Sequence, residues 1–500
     1  MSGTAATDAD AAANDHGDPR VAEVLKRWWG FETLRPLQSE AIAAAMAGRD
    51  SLVVMPTGGG KSLCYQLPAV MQEGVTVVLS PLIALMKDQV DALTHRGIDA
   101  GFINSSLSKH ERQARLTALA TGSYKLLYVT PERFQKADFR DVIRERPISL
   151  LAIDEAHCVS QWGHDFRPDY TRVGDIRQFL GCPTTIALTA TATRDVQRDI
   201  IHQLGLRPHE VELFHEGIDR PNLTLAVEEV WGEEDKLRQL RGILASHVLA
   251  GEPASGSHII YFTLIKTLER FSGLLEAEGL PHGCYHGGLN ASERRRIQEA
   301  FLAGEQRLIL ATNAFGMGID KPDIRTVTHA EVPGSLESYY QEIGRAGRDG
   351  RPSRCTLLYD QHDLPMLMEF LRWANPEADF YRRVYHGLKH DLERINAFGL
   401  EWFNEQLVGR RARHDRRIDS AILMLERYGT IARGGDAAGD RRLIKLLGEL
   451  PQSLADDTDR AAKLRRDQEK LLAMVEYARW EGDRRTFLET YFMCDSLAEE

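Results

Sequence analysis

The chain has 500 residues, 43% hydrophobic and 27% charged, with a formal net charge of −11. That length predicts two or three globular domains. The acidic balance excludes a uniformly basic DNA-coating protein while leaving room for a local basic groove. No apolar run approaches the roughly 18 residues of a membrane span. The six cysteines, at 64, 158, 182, 284, 355 and 494, form no Cys-x-x-Cys cluster. Reduced thiols are therefore expected rather than a disulfide framework.

Residues 1–18 are small, polar and acidic, without the basic and apolar regions of a signal peptide, and a disordered tail is expected there. Phe31-Glu32-Thr33-Leu34-Arg35-Pro36-Leu37-Gln38 then offers a ring (Phe31), a cation (Arg35) and an amide (Gln38) able to read adenine N6 and N7 together. An apolar run at 52–54 leads into Met55-Pro56-Thr57-Gly58-Gly59-Gly60-Lys61-Ser62, and a stretch able to form a helix follows. Strand, glycine turn, Lys-Ser, helix is the order of a phosphate-binding loop. Thr57, Gly58, Gly59 and Gly60 would close backbone N–H groups around a polyphosphate at a helix N-terminus. Lys61 would reach the β- and γ-phosphates, and the Ser62 hydroxyl would ligate Mg²⁺. Met55 stands where the first glycine of that fingerprint is usual.

Ser80-Pro81-Leu82-Ile83 and Val129-Thr130-Pro131-Glu132-Arg133 each follow an apolar run, and Ser80 and Thr130 suit sugar-phosphate contacts. Leu151-Ala152-Ile153-Asp154-Glu155-Ala156-His157 places two carboxylates at the end of a strand, about ninety residues beyond the phosphate loop. Asp154 is a candidate Mg²⁺ ligand and Glu155 a candidate for orienting or deprotonating the attacking water. Alone the pair reads as a helix cap; with the phosphate loop it reads as an NTPase. Ala187-Leu188-Thr189-Ala190-Thr191-Ala192-Thr193 offers hydroxyls between domains.

The apolar runs 52–54, 75–79, 126–129, 150–153 and 185–188 alternate with amphipathic stretches, which predicts a parallel sheet with crossover helices. The pattern restarts after Asp219-Arg220-Pro221-Asn222, at 259–262, 308–311, 326–329 and 356–359, without a second phosphate loop. Two α/β units sharing one such loop make a motor with a hinged ATP cleft. In the second unit, Thr312 within Ala311-Thr312-Asn313-Ala314-Phe315-Gly316-Met317-Gly318-Ile319-Asp320 is a candidate DNA contact. Gln341-Glu342-Ile343-Gly344-Arg345-Ala346-Gly347-Arg348-Asp349-Gly350 supplies the catalytic candidates Gln341, Arg345 and Arg348. The two arginines, three apart, are expected on one helical face pointing into the cleft. An arginine finger contributes about 10³–10⁵ in rate.

Directly after the Asp-Glu pair comes Cys158-Val159-Ser160-Gln161-Trp162-Gly163-His164-Asp165-Phe166-Arg167-Pro168-Asp169-Tyr170. Trp162 and Phe166 can stack on bases, and His164 and Arg167 can add polar or cation contacts. Core packing is the default for such rings, but Gly, His, Asp, Arg and Pro interleave them densely. From about Phe31 to Asp360 these motifs, in this order, resemble the RecQ family of DNA helicases in helicase superfamily 2. Residues 158–170 resemble the aromatic-rich loop by which that family couples single-stranded DNA binding to ATP hydrolysis.

The resemblance implies an α/β chain of two RecA-like parallel-sheet domains in tandem, followed by a helical and winged-helix-like C-terminal region. It implies ATP and Mg²⁺ as cofactors, single-stranded and duplex DNA as partners, no membrane, 3′-to-5′ movement and a role in DNA repair or recombination. A cytoplasmic, nucleoid-associated location follows from it too. The expected bounds are a tail at 1–18, motor domains at 19–215 (ATP site) and 216–360, and a C-terminal region at 361–500 with a winged helix near 404–450. Separating DNA costs roughly 1.4 kcal/mol per base-pair step, and a stacked aromatic returns about 1–3 kcal/mol per base. Stacking can hold a frayed base, but directional progress needs cleft closure on ATP and reopening after hydrolysis.

The C-terminal region departs from the family pattern. Residues 474–479 and 484–492 resemble the helical lead-in to a four-cysteine zinc module, but Asp483 stands in the place of its first cysteine and only Cys494 follows. A zinc site needs about four N/S ligands, so no structural zinc is expected. Instead Leu471, Leu472, Val475 and Tyr477, then Phe487, Leu488, Tyr491 and Phe492, predict a two-helix hairpin packed on the winged segment or on the second motor domain. Upstream, 416–428 reads as a helix stopped by Gly429, and 430–433 with 441–446 reads as a β-hairpin wing. Arg410, Arg411, Arg413, Arg416 and Arg417 suit duplex phosphates; a solvated helix face is the alternative. The favoured function is ATP-driven DNA unwinding. A translocase or nucleoprotein remodeller with weak unwinding is the alternative, and Lys61, Asp154, Glu155 and Arg348 oppose a non-catalytic DNA-binding module.

Overall fold

Apolar runs too short to form helices assemble into two separate parallel sheets in the computed structural model, which describes residues 19–160, 170, 172–215, 217–247, 256–316, 319–409, 415–435 and 442–492. The first sheet contains β1 (Ser51–Val54), β2 (Val75–Leu79), β3 (Ala100–Ile103), β4 (Leu126–Val129), β5 (Ile148–Ile153), β6 (Thr185–Thr189) and β7 (Glu212–His215), in the order β3-β4-β2-β5-β6-β1-β7. The second contains β8 (Leu223–Glu229), β9 (Ser257–Tyr261), β10 (Gly283–Tyr285), β11 (Leu308–Ala311), β12 (Ile324–His329) and β13 (Ser353–Tyr359), in the order β10-β11-β9-β12-β13-β8. Parallel strands are covered by helices on both faces, so the central ones read as continuous apolar runs.

The four strands that the apolar pattern does not mark, β3, β7, β8 and β10, are the four sheet edges. Two of them are only partly covered: β7 is half-buried along its whole length and β8 is buried only at Leu223. Their sequences therefore carry no continuous apolar signal.

Beyond the second sheet, helices Ala378–His390, Leu392–Val408 and Arg417–Arg427 bury Val384, Leu388, Ile395, Ile418, Ile422 and Leu425 together. Strands β14 (Ile431–Gly435) and β15 (Arg442–Leu446) pair antiparallel against this core, Ile431 opposite Leu446. Arg410, Arg411, Arg413, the turn of the wing and Cys494 lie outside the described residues, as does the tail at 1–18. The last two helices, Asp457–Arg479 and Arg484–Phe492, form the expected hairpin. Leu471, Met474, Tyr477, Leu488 and Phe492 enter the core of the second sheet beside Tyr339 and Tyr340. Leu472 instead faces solvent, 55% exposed.

A buried ion pair joins the second sheet to the segment that follows it. Lys236, on helix Gly232–His247, lies 2.6 Å from Asp363 Oδ1 and 3.7 Å from Asp360 Oδ2, and all three side chains are buried. Asp363 Oδ2 also accepts from the Val332 amide at 3.1 Å. Burial raises the Asp363 pKa to about 6 against the pull of Lys236. Because that lies above the unfolded value near 3.9, this group's contribution to stability falls as pH rises from about 4 through 6. Lys236→Met leaves the acid buried without its cation. Chemical denaturation at pH 8 should show a loss of about 3–5 kcal/mol, and a smaller one at pH 5, where Asp363 takes up a proton. An equal loss at both pH values would show that the pair does not govern the effect.

Candidate active site in the cleft between the sheets

The phosphate loop leaves the buried strand β1 and enters helix Leu63–Met71. Two of its glycines, Gly58 (φ 83°) and Gly60 (φ 82°), occupy left-handed backbone that side-chain-bearing residues rarely adopt. Met55 is not among the positive-φ residues; it continues β1 by donating to the Thr189 carbonyl at 3.1 Å, and its side chain is buried in the core. The loop therefore needs no glycine there. Lys61 Nζ donates to the Met55 carbonyl at 3.0 Å and to that of Pro56 at 3.4 Å. Burial lowers the Lys61 pKa, while Glu155 and Asp154 oppose that shift and Arg348 adds to it.

Asp154 and Glu155 follow β5, the strand beside β2 and β6. The Asp154 amide donates to the Leu79 carbonyl at 2.8 Å, and its Oδ1 accepts from the Glu155 amide at 3.0 Å. Burial and the charge of Glu155 push the Asp154 pKa up to about 7, against Lys61. Glu155 is one of two non-glycine residues at positive φ (49°) among those described, and its buried Oε2 has no hydrogen-bond partner. Left-handed backbone at a non-glycine residue is costly and concentrates at functional sites. His157 Nδ1 lies 3.4 Å from that oxygen and 3.1 Å from Thr189 Oγ1, which ties the acidic pair to the end of β6.

A buried and a partly buried carboxylate, the second with an unsatisfied oxygen, are hard donors of the kind Mg²⁺ takes, and this ion is usually held by one or two carboxylates plus phosphate oxygens. Asp154 and the half-buried Ser62 are the residues that would hold it, and it would neutralise phosphate charge. Among the described residues no group of three or more His, Cys, Asp or Glu could hold a metal by itself.

The nucleotide-side candidates gather on the same loop. Arg35 Nη1 donates to the Gly58 carbonyl at 3.2 Å, and Gln38 Nε2 donates to the Gly59 and Gly60 carbonyls at 3.1 and 3.3 Å. Gln38 Oε1 accepts from the Arg35 amide at 3.0 Å, so its amide is engaged with protein at both ends. Phe31 is 54% exposed beside them in sequence, as a ring waiting for a planar partner must be.

From the second sheet, helix Leu336–Ile343 carries Gln341 and ends before the arginines. Arg345 and Arg348 thus sit in the turns that follow, not on one helical face, and they diverge. Arg345 is buried and donates to the Gly316 carbonyl within its own sheet domain. Arg348 reaches the cleft: its Cγ would lie 3.4 Å from a Cβ placed on Gly58, and Nη1 donates to Asp320 Oδ1 at 2.6 Å. The helix ends at Gly344, where a Cβ would meet the Tyr340 carbonyl at 3.1 Å and Thr57 Cβ at 3.4 Å, so glycine suits the close approach of this turn to the phosphate loop.

The DNA-side candidates Ser80, Thr130 and Thr312 sit just past β2, β4 and β11, and all three are buried. Ser80 Oγ has no hydrogen-bond partner. Trp162, His164, Phe166 and Arg167 lie outside the described residues. One residue of the cleft carries no signal in the motif pattern: Arg220, which the sequence marks only as part of the boundary between the two units. Its guanidinium lies against the phosphate loop, donating to the Thr57 carbonyl at 3.2 Å.

Two family models match this geometry in order: the DEAD/DEAH box helicase model over residues 35–199 and the helicase conserved C-terminal domain over 235–350. The ATP-dependent DNA helicase RecQ of Bacillus subtilis is 45% identical over 435 residues, covering 82% of this chain and 71% of that protein. The RecQ helicase of Haemophilus influenzae is 42% identical over 380 residues, covering 76% of this chain and 59% of its own length. Among solved structures, Saccharomyces cerevisiae Dbp5 superposes with a TM-score of 0.56 at 18% identity, covering 71% of this chain and 92% of that one. Mycobacterium smegmatis Lhr gives 0.55 at 18%, covering 85% and 61%; both share the fold. With this identity across both sheets and the cleft between them, the chain belongs to the RecQ family of ATP-dependent DNA helicases.

Proposed function

We propose that the chain hydrolyses ATP in this cleft to move 3′-to-5′ along single-stranded DNA and separate duplex, in repair or recombination on the nucleoid. Residues 19–215 serve as the motor domain with the ATP site, 216–360 as its partner and 361–500 as a C-terminal region with a winged helix near 404–450. One observation carries the reading: the loop bearing Lys61 and the Asp154–Glu155 pair stand at strand ends of one sheet, and Arg348 from the other sheet reaches over that loop, its Cγ 3.4 Å from a Cβ placed on Gly58. A lysine, two acids and an arginine from opposite walls are the set that phosphoryl transfer to water requires.

Each residue then has a task. The loop amides and Lys61 hold the β- and γ-phosphates; Asp154 and Ser62 would hold Mg²⁺, which would neutralise phosphate charge. Glu155, with an oxygen that accepts no hydrogen bond, orients the attacking water and takes its proton. Arg348 meets the charge developing on the transferred group, and Arg345 holds the loop after β11 through the Gly316 carbonyl. Phe31, Arg35 and Gln38 receive the base side, with Gln38 exchanging its loop carbonyls for adenine. Ser80, Thr130 and Thr312 contact the DNA backbone, and Trp162, His164, Phe166 and Arg167 report its presence to Glu155, seven residues before the first of them in sequence. No helix among the described residues is long and apolar enough to cross a membrane.

A second reading, a DNA-stimulated translocase with weak unwinding, is favoured by Asp483 in place of a zinc ligand. Unwinding of a 3′-tailed duplex, measured beside ATP turnover with and without single-stranded DNA, separates the two.

Lys61→Ala and Glu155→Gln should each abolish ATP turnover, by about 10³-fold or more. The Gln variant should still bind nucleotide, since Asp154 and the loop amides remain. DNA-stimulated hydrolysis at the parental rate in either variant would sink the assignment. Trp162→Ala with Phe166→Ala should leave basal hydrolysis near wild type while blunting DNA stimulation and unwinding. A melting temperature lower by roughly 4–8 °C together with lost basal activity would make these rings core residues instead.

The C-terminal region is proposed to work without structural zinc, since the helical hairpin gains its anchorage from the second sheet's core. Elemental analysis should give well under one zinc per chain, and a strong chelator should leave unwinding intact. Chelator-induced unfolding would reveal ligands contributed by residues not yet considered.

A further inference from the structure

The two walls of the cleft are bridged by a side chain from the segment that joins the two sheets. Arg220 lies between the last strand of the first sheet and the first strand of the second. Its Nη1 donates to the Thr57 carbonyl of the phosphate loop at 3.2 Å and to the Gly344 carbonyl at 3.4 Å. Its Nη2 donates to the Ala346 and Gly347 carbonyls at 2.9 and 3.1 Å. One planar guanidinium thus spans the loop on one wall and, on the other, the turn that carries Arg348. Five N–H donors in a rigid fork make arginine the side chain able to do this; a lysine ammonium is a single point charge.

The base of that bridge is fixed as well. Asn222 Nδ2 donates to the Gly347 carbonyl at 2.8 Å and to that of Arg351 at 3.0 Å. Arg485, on the last helix, donates to the Pro221 and Leu223 carbonyls at 2.9 and 2.8 Å. The hinge backbone is therefore held from the C-terminal side while Arg220 reaches out of it into the cleft.

We propose that Arg220 is a positioning residue for hydrolysis: it sets the distance and angle of the Arg348 turn over the phosphate loop, so that Arg348 meets the transferring phosphoryl group only when the hinge is in register. Arg220 donates to protein carbonyls and acts through Arg348. The inference rests on the ATPase reading above.

The test uses the full chain and steady-state ATP hydrolysis with saturating single-stranded DNA, beside equilibrium binding of a fluorescent ATP analogue and thermal melting. Arg220→Gln should lower kcat by about 10- to 100-fold, the scale of losing charge-assisted hydrogen bonds. The analogue's Kd should stay within about threefold of the parent's, because the loop amides and Lys61 remain. Combined with Arg348→Ala, it should add little: the double variant should turn over at the rate of Arg348→Ala alone, as expected when one residue acts through another. Turnover of Arg220→Gln near the parental rate, or losses that multiply in the double variant, would overturn the proposal. Arg220→Lys keeps the charge without the span, should show the same kcat loss, and decides the matter where the Gln variant fails to fold. Arg348→Ala hydrolysing at the parental rate would instead overturn the site reading itself, a distinct result.

Discussion

A loop that offers its backbone N–H groups to a phosphate has to find other donors for its carbonyls, and the cleft is built around that requirement. The Thr57 carbonyl accepts from Arg220, that of Gly58 from Arg35, and those of Gly59 and Gly60 from Gln38. These three side chains come from two segments far apart in sequence, one ahead of the first sheet and one at the hinge. The glycines make this possible. A Cβ at Gly60 would lie 2.2 Å from Gln38 Nε2, and one at Gly58 would press on Arg348. The loop is thus a junction as well as a binding site, and a change in its carbonyl partners is felt by the base side, the hinge and the opposite wall.

Charge burial provides the second constraint. Lys61 and Glu155 are partly buried beside the buried Asp154, and burial pushes Lys61 down and Asp154 up. In each group burial disfavours the charged form and the opposite charge nearby offsets it. A polyphosphate with its metal would bring charges of both signs to this site. The strained backbone of Glu155 and its unpaired oxygen belong to the same arrangement: conformational cost concentrated where chemistry needs a fixed, unsatisfied acceptor.

The C-terminal hairpin reaches this machinery by packing. Tyr477 meets Tyr339 with ring centroids 5.2 Å apart, and Phe492 meets Tyr340 at 5.3 Å. Both tyrosines sit on the helix that leads into the arginine turn, and Tyr340 also donates to the Ile218 carbonyl near the hinge at 2.7 Å. Each such ring pair contributes about 0.5–1.5 kcal/mol beyond its buried area. Apolar anchorage thus ties the C-terminal hairpin to the helix that leads into the arginine turn.

Much of this was legible in the residues alone. Central strands announced themselves because burial on both faces demands continuous apolar runs, and the phosphate loop and acidic pair because their chemistry requires fixed residue types at short spacing. The antiparallel wing and the final helical hairpin were readable from apolar periodicity and turn residues. Only the tertiary structure decided the rest. Edge strands such as β7 and β8 lack the burial that writes a pattern. Arg345 and Arg348 look equivalent in sequence, yet the break at Gly344 sends one to the Gly316 carbonyl and the other over Gly58. Arg220 is silent in sequence because its partners are backbone carbonyls, present at every residue whatever its side chain. Which of them face one another is set by the packing of two sheets across a hinge.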